Sequence, residues 1–397
     1  MQTDPAFSIP IKISPRQLRL ATTVYFFISG FGYSSWASRI PSIQQRLHLN
    51  EAQLGGVLLS LPIGLMLTLP VTGTLLSRYN TKKIMLFGVV FYNLVLSLPG
   101  FTTTLMQLVA VLFCFGSSRN ILNLSINAQA VGVQELYKTS IMTTFHGVWS
   151  VAGFTGAAVG YVMVLYNIAP AWHLMGVAFV LMVLALWLYP YALSQEPVRK
   201  EHRPFFSFPD KSLLNFAFIC FACMACENTM YDWSVIYFQK VVHTPKAAAN
   251  AAYVVYMVAM TIGRFAGDRV VTKIGVKNIL HLSGWLIFTG LMLAVLLPYP
   301  VIAGMGFTLV GLGVSCVVPL VFKMAAQSAA TSSGHALASI SSIGYLGFLL
   351  VPPMVGFVAQ KADLRWSFGI IATLGLLLVA MVYSIREERV HILKTER

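Results

Sequence analysis

The stretch SQEPVRKEHRPFFSFPDK, residues Ser194–Lys211, carries Arg199, Lys200, Arg203 and Lys211 together with Glu196, Glu201, Asp210 and three prolines. No other stretch of its length in the chain is so polar. On either side lie about six apolar segments of about 20 residues each, joined by short loops, and a helix of that length spans the ~30 Å hydrocarbon core of a bilayer. The stretch therefore reads as a linker between two six-span membrane halves. The expected division is residues 1–193, linker 194–211 and residues 212–397.

Working outward, the apolar runs predict spans over residues 18–38, 52–77, 84–102, 105–132, 141–164 and 170–192. After the linker they predict 212–237, 247–270, 278–297, 300–326, 335–359 and 364–385. Composition agrees with an all-α membrane protein of twelve transmembrane helices. Of 397 residues, 57% are hydrophobic and 10% charged, where soluble domains carry roughly 25% charged residues. Backbone groups in hydrocarbon must be paired internally, which favours helices. An outer-membrane barrel is disfavoured because the runs are continuous rather than alternating.

The formal charge of +14 would suggest nucleic acid in a soluble protein. Here the cations sort by loop. Arg78, Lys82, Lys83, Lys138, the linker cations, Arg264, Arg269, Lys273, Lys277, Lys323 and the tail residues fall on one side. Arg39, Arg46, Lys240, Lys246, Lys361 and Arg365 fall on the other. A bias of roughly three to one puts the linker and both termini in the cytoplasm. Lys12, Arg16 and Arg19 before the first apolar run resemble a signal peptide, but the further spans make that run an uncleaved first helix.

The halves read as a repeat. Span 2 ends in Gly73-Thr-Leu-Leu-Ser-Arg78 followed by Lys82 and Lys83, and span 8 in Gly263-Arg-Phe-Ala-Gly-Asp-Arg269 followed by Lys273, Gly275 and Lys277. Trp36 near the end of span 1 has its counterpart in Trp233 of span 7. Two parallel halves around a midplane site are a transporter plan.

The chain resembles major facilitator superfamily transporters over essentially its whole length. It is most similar to the bacterial inner-membrane YbjJ-like branch, itself loosely similar to fucose permeases. The resemblance is carried by Trp36-Ala-Ser-Arg-Ile-Pro41, Leu54-Gly-Gly-Val-Leu58, Ser125-Ile-Asn127, His146-Gly147, Asp232-Trp233, Gly263-Arg-Phe265, Gly344-Tyr-Leu-Gly-Phe348 and Pro352-Pro353. It implies that spans 1, 4, 7 and 10 surround a central cavity. It also implies a cytoplasmic gate in which Arg78, Lys82, Arg264, Asp268 and Arg269 take part. The acidic slot of the superfamily's loop signature holds Ser77, and its second-half counterpart holds Thr272. Span 5 has Gly153, Gly156 and Gly160 without the Gly-Pro pair of antiporters, which favours uptake.

A charge inside a span is costly, at least ~2.5 kcal/mol, and is functional by default. Of the acidic residues, Glu227 and Asp232 alone fall inside an apolar run, both in span 7. Glu227 is the expected proton carrier, against the plainer reading of a structural ion pair. Asp232 is a second candidate, or a gate contact. Among cations only Arg119 sits at mid-span; Arg264 and Lys323 are expected to snorkel to the cytoplasmic end. Arg119 stands either as a ligand for an anionic or polyhydroxy solute, through its fork of donors, or as a partner of Glu227. Asn120, Asn123 and Asn127 recur at helical spacing on one face. With Trp36 and Trp233 they complete the candidate solute ligands. His146 reads as a hydrogen-bonded helix contact rather than a titrating switch. Cys220, Cys223 and Cys226 read as small packing residues rather than a metal site. Pro352-Pro353 predicts a break or kink in span 11.

These readings converge on a secondary active transporter working by alternating access. Its expected cargo is a small polar solute, a sugar or an organic anion, taken up with protons. An exporter of drugs or metabolites is the alternative within transport, and a non-transporting solute sensor the alternative outside it. No nucleophile–base set or metal set gathers at one depth, so an enzyme is not expected, nor any cofactor or metal. No G-x-x-x-x-G-K-[ST] loop occurs. The expected partners are the solute, protons and the lipid bilayer, with no nucleic acid, for a monomer in the bacterial cytoplasmic membrane.

Overall fold

The structure is a computed structural model that describes residues 13–138, 141–194, 213–328 and 333–385. The polar linker, apart from Ser194, lies outside the described residues, as do both tails. Among the described residues every regular element is a helix. Before the linker come α1 (Pro15–Ala37), a short α2 (Ile40–Arg46), α3 (Glu51–Arg78), α4 (Thr81–Leu96), α5 (Leu105–Gln134), α6 (Met142–Leu165) and α7 (Pro170–Leu188). After it come α8 (Leu214–Lys240), α9 (Lys246–Ile274), α10 (Val276–Leu296), α11 (Pro300–Val314), α12 (Val317–Ser328), α13 (Ser333–Lys361) and α14 (Leu364–Tyr383).

The helices begin where the sequence supplies partners for their free N–H groups. Ser14 with Gln17 and Asn50 with Gln53 form capping boxes on α1 and α3. Thr104 and Asp363 cap α5 and α14. α9 stops and α10 starts at Gly275, whose φ of 84° suits glycine and strains other residues. Among the described residues nine segments are long and apolar enough to cross a membrane, and α11 with α12 forms one of them, Pro300–Ala325. α1, α8 and α9 are long enough but more polar. Large apolar side chains such as Leu67, Phe87, Phe179, Ile262 and Phe357 face outward, as a lipid-facing surface requires.

Three details depart from the sequence expectations. The loop after span 1 contains the helix α2. In span 11, where a break or a kink is expected at Pro352-Pro353, the helix is not broken: α13 runs through both prolines. The break falls instead in span 10, at Ser315–Cys316 between α11 and α12. Pro319 explains it: its ring crowds the carbonyl four residues back and it has no N–H to donate.

Within each group the helices pack closely: α1 on α6, α3 on α5, α8 on α13 and α10 on α11 and α14. The two most extensive crossings between the groups are α3 with α13 and α6 with α9. At the first, a Cβ on Gly55 would lie 2.5 Å from the Pro352 carbonyl oxygen, and one on Gly356 2.4 Å from that of Glu51. The two backbones therefore touch, as small residues allow. Gly73 is 18 residues beyond Gly55, five turns on and so on the same face of α3. A Cβ there would meet nothing within 4 Å among the described residues. α3 is thus clamped against α13 at its α2 end and, among the described residues, not in such contact at Gly73 near its linker end.

Candidate functional site

Arg119 sits at the middle of α5, half-buried. Its guanidinium lies 3.8 Å over the ring of Tyr33 on α1, a cation–π contact that partly replaces lost hydration. Its Nε–H is buried without a hydrogen-bond partner, and no carboxylate is within ion-pair distance among the described residues. Asp232 on α8 is within electrostatic reach and accepts from Asn228 Nδ2 at 3.1 Å.

Glu227, the expected partner in the alternative reading of Arg119, is held elsewhere. Its Oε1 lies 3.4 Å from a terminal nitrogen of Arg264 on α9 and accepts a long hydrogen bond, 3.5 Å, from Tyr231. The other terminal nitrogen of Arg264 donates to Ser150 Oγ on α6 at 2.8 Å, and the guanidinium lies 5.6 Å over Trp149. The expectation that Arg264 snorkels outward is therefore corrected. The predicted span 8 stopped at residue 270, whereas α9 continues to Ile274. Arg264 lies about 15 Å before that helix end, and its guanidinium is turned to Glu227 and Ser150. Arg264, one of the residues expected at the gate, bonds Glu227 of α8 and Ser150 of α6.

Aromatic rings connect the two arginines. Tyr33 meets Tyr231 edge to face at 5.3 Å, and Tyr231 packs on Tyr253 and Tyr256 at 6.1 Å each. Ser34 of α1 shares a hydrogen bond of 2.9 Å with Tyr253 of α9. Contact thus runs unbroken from Arg119 through Tyr33, Tyr231 and Glu227 to Arg264, crossing between α1 and α8. These tyrosines went unnoticed in the sequence; the signal was Tyr231, one helical turn from Glu227.

The remaining candidates are dispersed. Asn120 is buried and donates to Thr68 and Thr72 of α3 at 3.3 and 3.0 Å. Asn123 accepts from Ser29 of α1 at 2.6 Å, and Asn127 donates back to the Asn123 carbonyl. Both remain half-buried. Trp36 and Trp233 are fully buried with unpartnered indole N–H groups. Of the gate set, Lys82 donates to the Pro190 carbonyl at 2.9 Å, and Arg78 and Arg269 are exposed. The side chain of Asp268 lies outside the described set. His146 is exposed and meets Phe26 edge to face at 5.3 Å. Cys223 and Cys226 contact the carbonyls of Val314 and Ile371. Among the described residues no group of His, Cys, Asp and Glu could hold a metal.

At the α2 end the two helix groups are tied by an ion pair between Lys240 and Glu51 and by a hydrogen bond of 3.0 Å between Gln45 and Gln239. At mid-depth Ser150 joins them, accepting from Arg264 and, through its carbonyl, from Thr261.

The family model described as Major Facilitator Superfamily matches residues 22–333 and 218–397. An uncharacterized MFS-type transporter of Yersinia pestis is 32% identical over 364 residues, covering 91% of this chain and 94% of the relative. The membrane protein MosC of Rhizobium meliloti is 27% identical over 363 residues, covering 90% and 87%. Among solved structures, the nucleoside transporter NupG superposes with a TM-score of 0.75 at 15% identity, covering 92% of this chain and 99% of that one. A D-xylose-proton symporter superposes with a TM-score of 0.76 at 11% identity, covering 94% and 98%. These two likenesses are of fold.

Proposed function

The chain belongs to the major facilitator superfamily, and from that premise we propose that it is a secondary active transporter of a small polar solute bound at Arg119. The observation that carries this is the state of Arg119: mid-helix, partly exposed, stacked on Tyr33, with an unpartnered Nε–H and, among the described residues, no carboxylate within ion-pair distance. A guanidinium at that depth needs compensation, and a solute that brings oxygen acceptors supplies it. An organic anion fits best, because it adds the missing charge; a sugar offers neutral acceptors only. Within the superfamily we keep the YbjJ-like, loosely fucose-permease-like placement, which rests on the motif residues quoted above.

Glu227 is the proposed proton carrier and Asp232 a second one. When Glu227 takes a proton, its ion pair with Arg264 is lost, and with it one of the bonds that set Arg264 against Ser150 of the other half. Protonation at mid-depth thereby loosens a contact between halves. The halves are residues 1–193 and 212–397, joined by the cytoplasmic linker, in the bacterial inner membrane with both termini cytoplasmic, and the protein works as a monomer. In that orientation the α2 end faces outward and is closed, while the linker end of α3 is the inward-open side of an alternating-access cycle. The direction of coupled transport is uptake.

The experiment is reconstitution into proteoliposomes with an inward proton gradient and a panel of labelled organic acids, sugars and amino acids. Gradient-dependent accumulation of one class, collapsed by a protonophore, is expected. Accumulation of none, with the protein shown to be folded, would remove the transport reading in favour of a sensor.

A further inference from the structure

At the α2 end, an open cleft of about 380 Å³ lies between the α1–α2 junction, the α6–α7 loop and the first residue of α9. Its polar lining is Arg39, Ser42, Gln45, Arg46, Asn167 and Lys246: three cations, a hydroxyl and two amides, with no carboxylate. Arg39 is only 2% exposed. It donates from Nε to His173 Nδ1 at 3.0 Å and from a terminal nitrogen to the Ile168 carbonyl. Arg46 donates to the carbonyls of Pro99, Gly100 and Thr102. Each of these acceptors is neutral, so the guanidinium charges are solvated by dipoles but not balanced.

The acids at this end are committed elsewhere. Glu51 pairs with Lys240, and Asp363 caps α14. Among the described residues no carboxylate lies within ion-pair distance of Arg39, Arg46 or Lys246. Burial of an unbalanced guanidinium is costly, and it lowers Arg39 from its ordinary value to about 10. Tyr166 and Trp172, 71% and 63% exposed, flank the cleft-lining loop. Such aromatics mark the headgroup level of a bilayer.

We propose that this cleft is a phosphate-type oxyanion site at the membrane surface, in which Arg39 and Arg46 share one anion with Lys246. Lys246 opens α9, beyond the linker, whereas both arginines precede the linker. A shared anion therefore adds a tie between the two helix groups beside the Lys240–Glu51 pair, and stabilises closure of the α2 end. Arg–phosphate contacts through a fork of donors have the geometry and strength for this. The phosphate can come from free solution or from an anionic lipid headgroup, and neither source involves the central solute site.

The test uses purified full-length protein in a neutral detergent. Thermal unfolding is followed against inorganic phosphate at ionic strength matched with chloride, and separately against phosphatidylglycerol with phosphatidylcholine as control. A saturable rise in Tm with phosphate identifies free anion as a source, and a rise with phosphatidylglycerol alone identifies the headgroup. In either case Lys246→Gln and Arg46→Gln should each weaken the apparent affinity about tenfold, the loss of one charge-assisted contact; Lys246→Gln should leave Tm without ligand unchanged, whereas Arg46→Gln should lower it because the bonds to Pro99, Gly100 and Thr102 are lost as well. Lys246→Glu, which supplies an internal anion, should abolish the response. No saturable rise with either phosphate or phosphatidylglycerol overturns the proposal. So does an equal response in wild type, Lys246→Gln and Arg46→Gln.

Discussion

Arg119 and Arg264 are two half-buried guanidiniums on neighbouring parts of the same chain of contacts, and they are held in opposite ways. Arg264 has its counter-charge: a carboxylate on α8, a hydroxyl on α6 and an indole face meet it. Arg119 has an aromatic face and an unpartnered Nε–H. A buried charge that is fully paired positions structure, whereas one left short of partners is poised for something that arrives later. The difference separates the residue that joins the halves from the residue proposed to meet the solute, and each of the following changes is chosen to erase or exaggerate it.

The largest effect is expected from Glu227→Gln, which makes Arg264 resemble Arg119 by removing its counter-charge. Accumulation driven by a proton gradient should be abolished while solute exchange remains measurable, because exchange needs only reorientation of the loaded carrier. Breaking a partly buried pair should also cost about 1–3 kcal/mol of stability, less than a fully dry pair because Arg264 keeps some exposure. Unchanged gradient-driven accumulation in a folded variant would remove Glu227 from coupling.

Gly356→Ala comes next, and it acts on the clamp that holds the α2 end shut while both arginines stay intact. The new Cβ would meet the Glu51 carbonyl oxygen at 2.4 Å, so α3 and α13 must part. Ser34, 1% exposed and bonded across the interface to Tyr253, provides the readout as Ser34→Cys. Its labelling by an impermeant thiol reagent from outside should quicken about tenfold in the Gly356→Ala background, the effect of an overpacking strain of ~1–2 kcal/mol. An unaltered rate would mean that this crossing does not control access.

The legibility of these features in the sequence was uneven, for physical reasons. Spans, the helical class and the family could be read because apolar runs of bilayer length and the quoted motifs are local signals. Glu227 and Asp232 stood out because charge is rare in apolar runs. The partner of Glu227 did not, because pairing depends on helix rotation and depth. The last four residues of α9, Val271–Ile274, are mixed in polarity, so the apolar run ends before them and sets Arg264 near the end of the predicted span. Asn120, Asn123 and Asn127 share a spacing but not a neighbour. α3 captures the first and α1 the second, and a single helix's pattern holds no record of which helices flank it. Pro352-Pro353 and Pro319 show the same limit: α13 runs through two prolines, while one proline breaks the helix at Ser315–Cys316.

The smallest of the three effects is expected from Ser150→Ala, which removes one arm of Arg264 and leaves the ion pair. A hydrogen bond to a charged group is worth about 1.5–3 kcal/mol at most, and Thr261 still holds the Ser150 carbonyl at 3.2 Å. Uptake should slow by a few-fold with solute affinity unchanged. A large loss of affinity would mean that Ser150 and Arg264, rather than Arg119, face the solute.

The most direct measurement is a paired calorimetric titration of wild type and Arg119→Lys with whichever solute the proteoliposome panel identifies. Lysine keeps the charge but lacks the planar fork, so the comparison isolates donor geometry at an arginine whose Nε–H is buried and unpartnered. The account predicts a loss of about ten- to a hundredfold in affinity, the equivalent of one or two charge-assisted hydrogen bonds, with thermal stability in the absence of solute unchanged. Equal affinity in the two proteins would contradict it and move the solute away from Arg119.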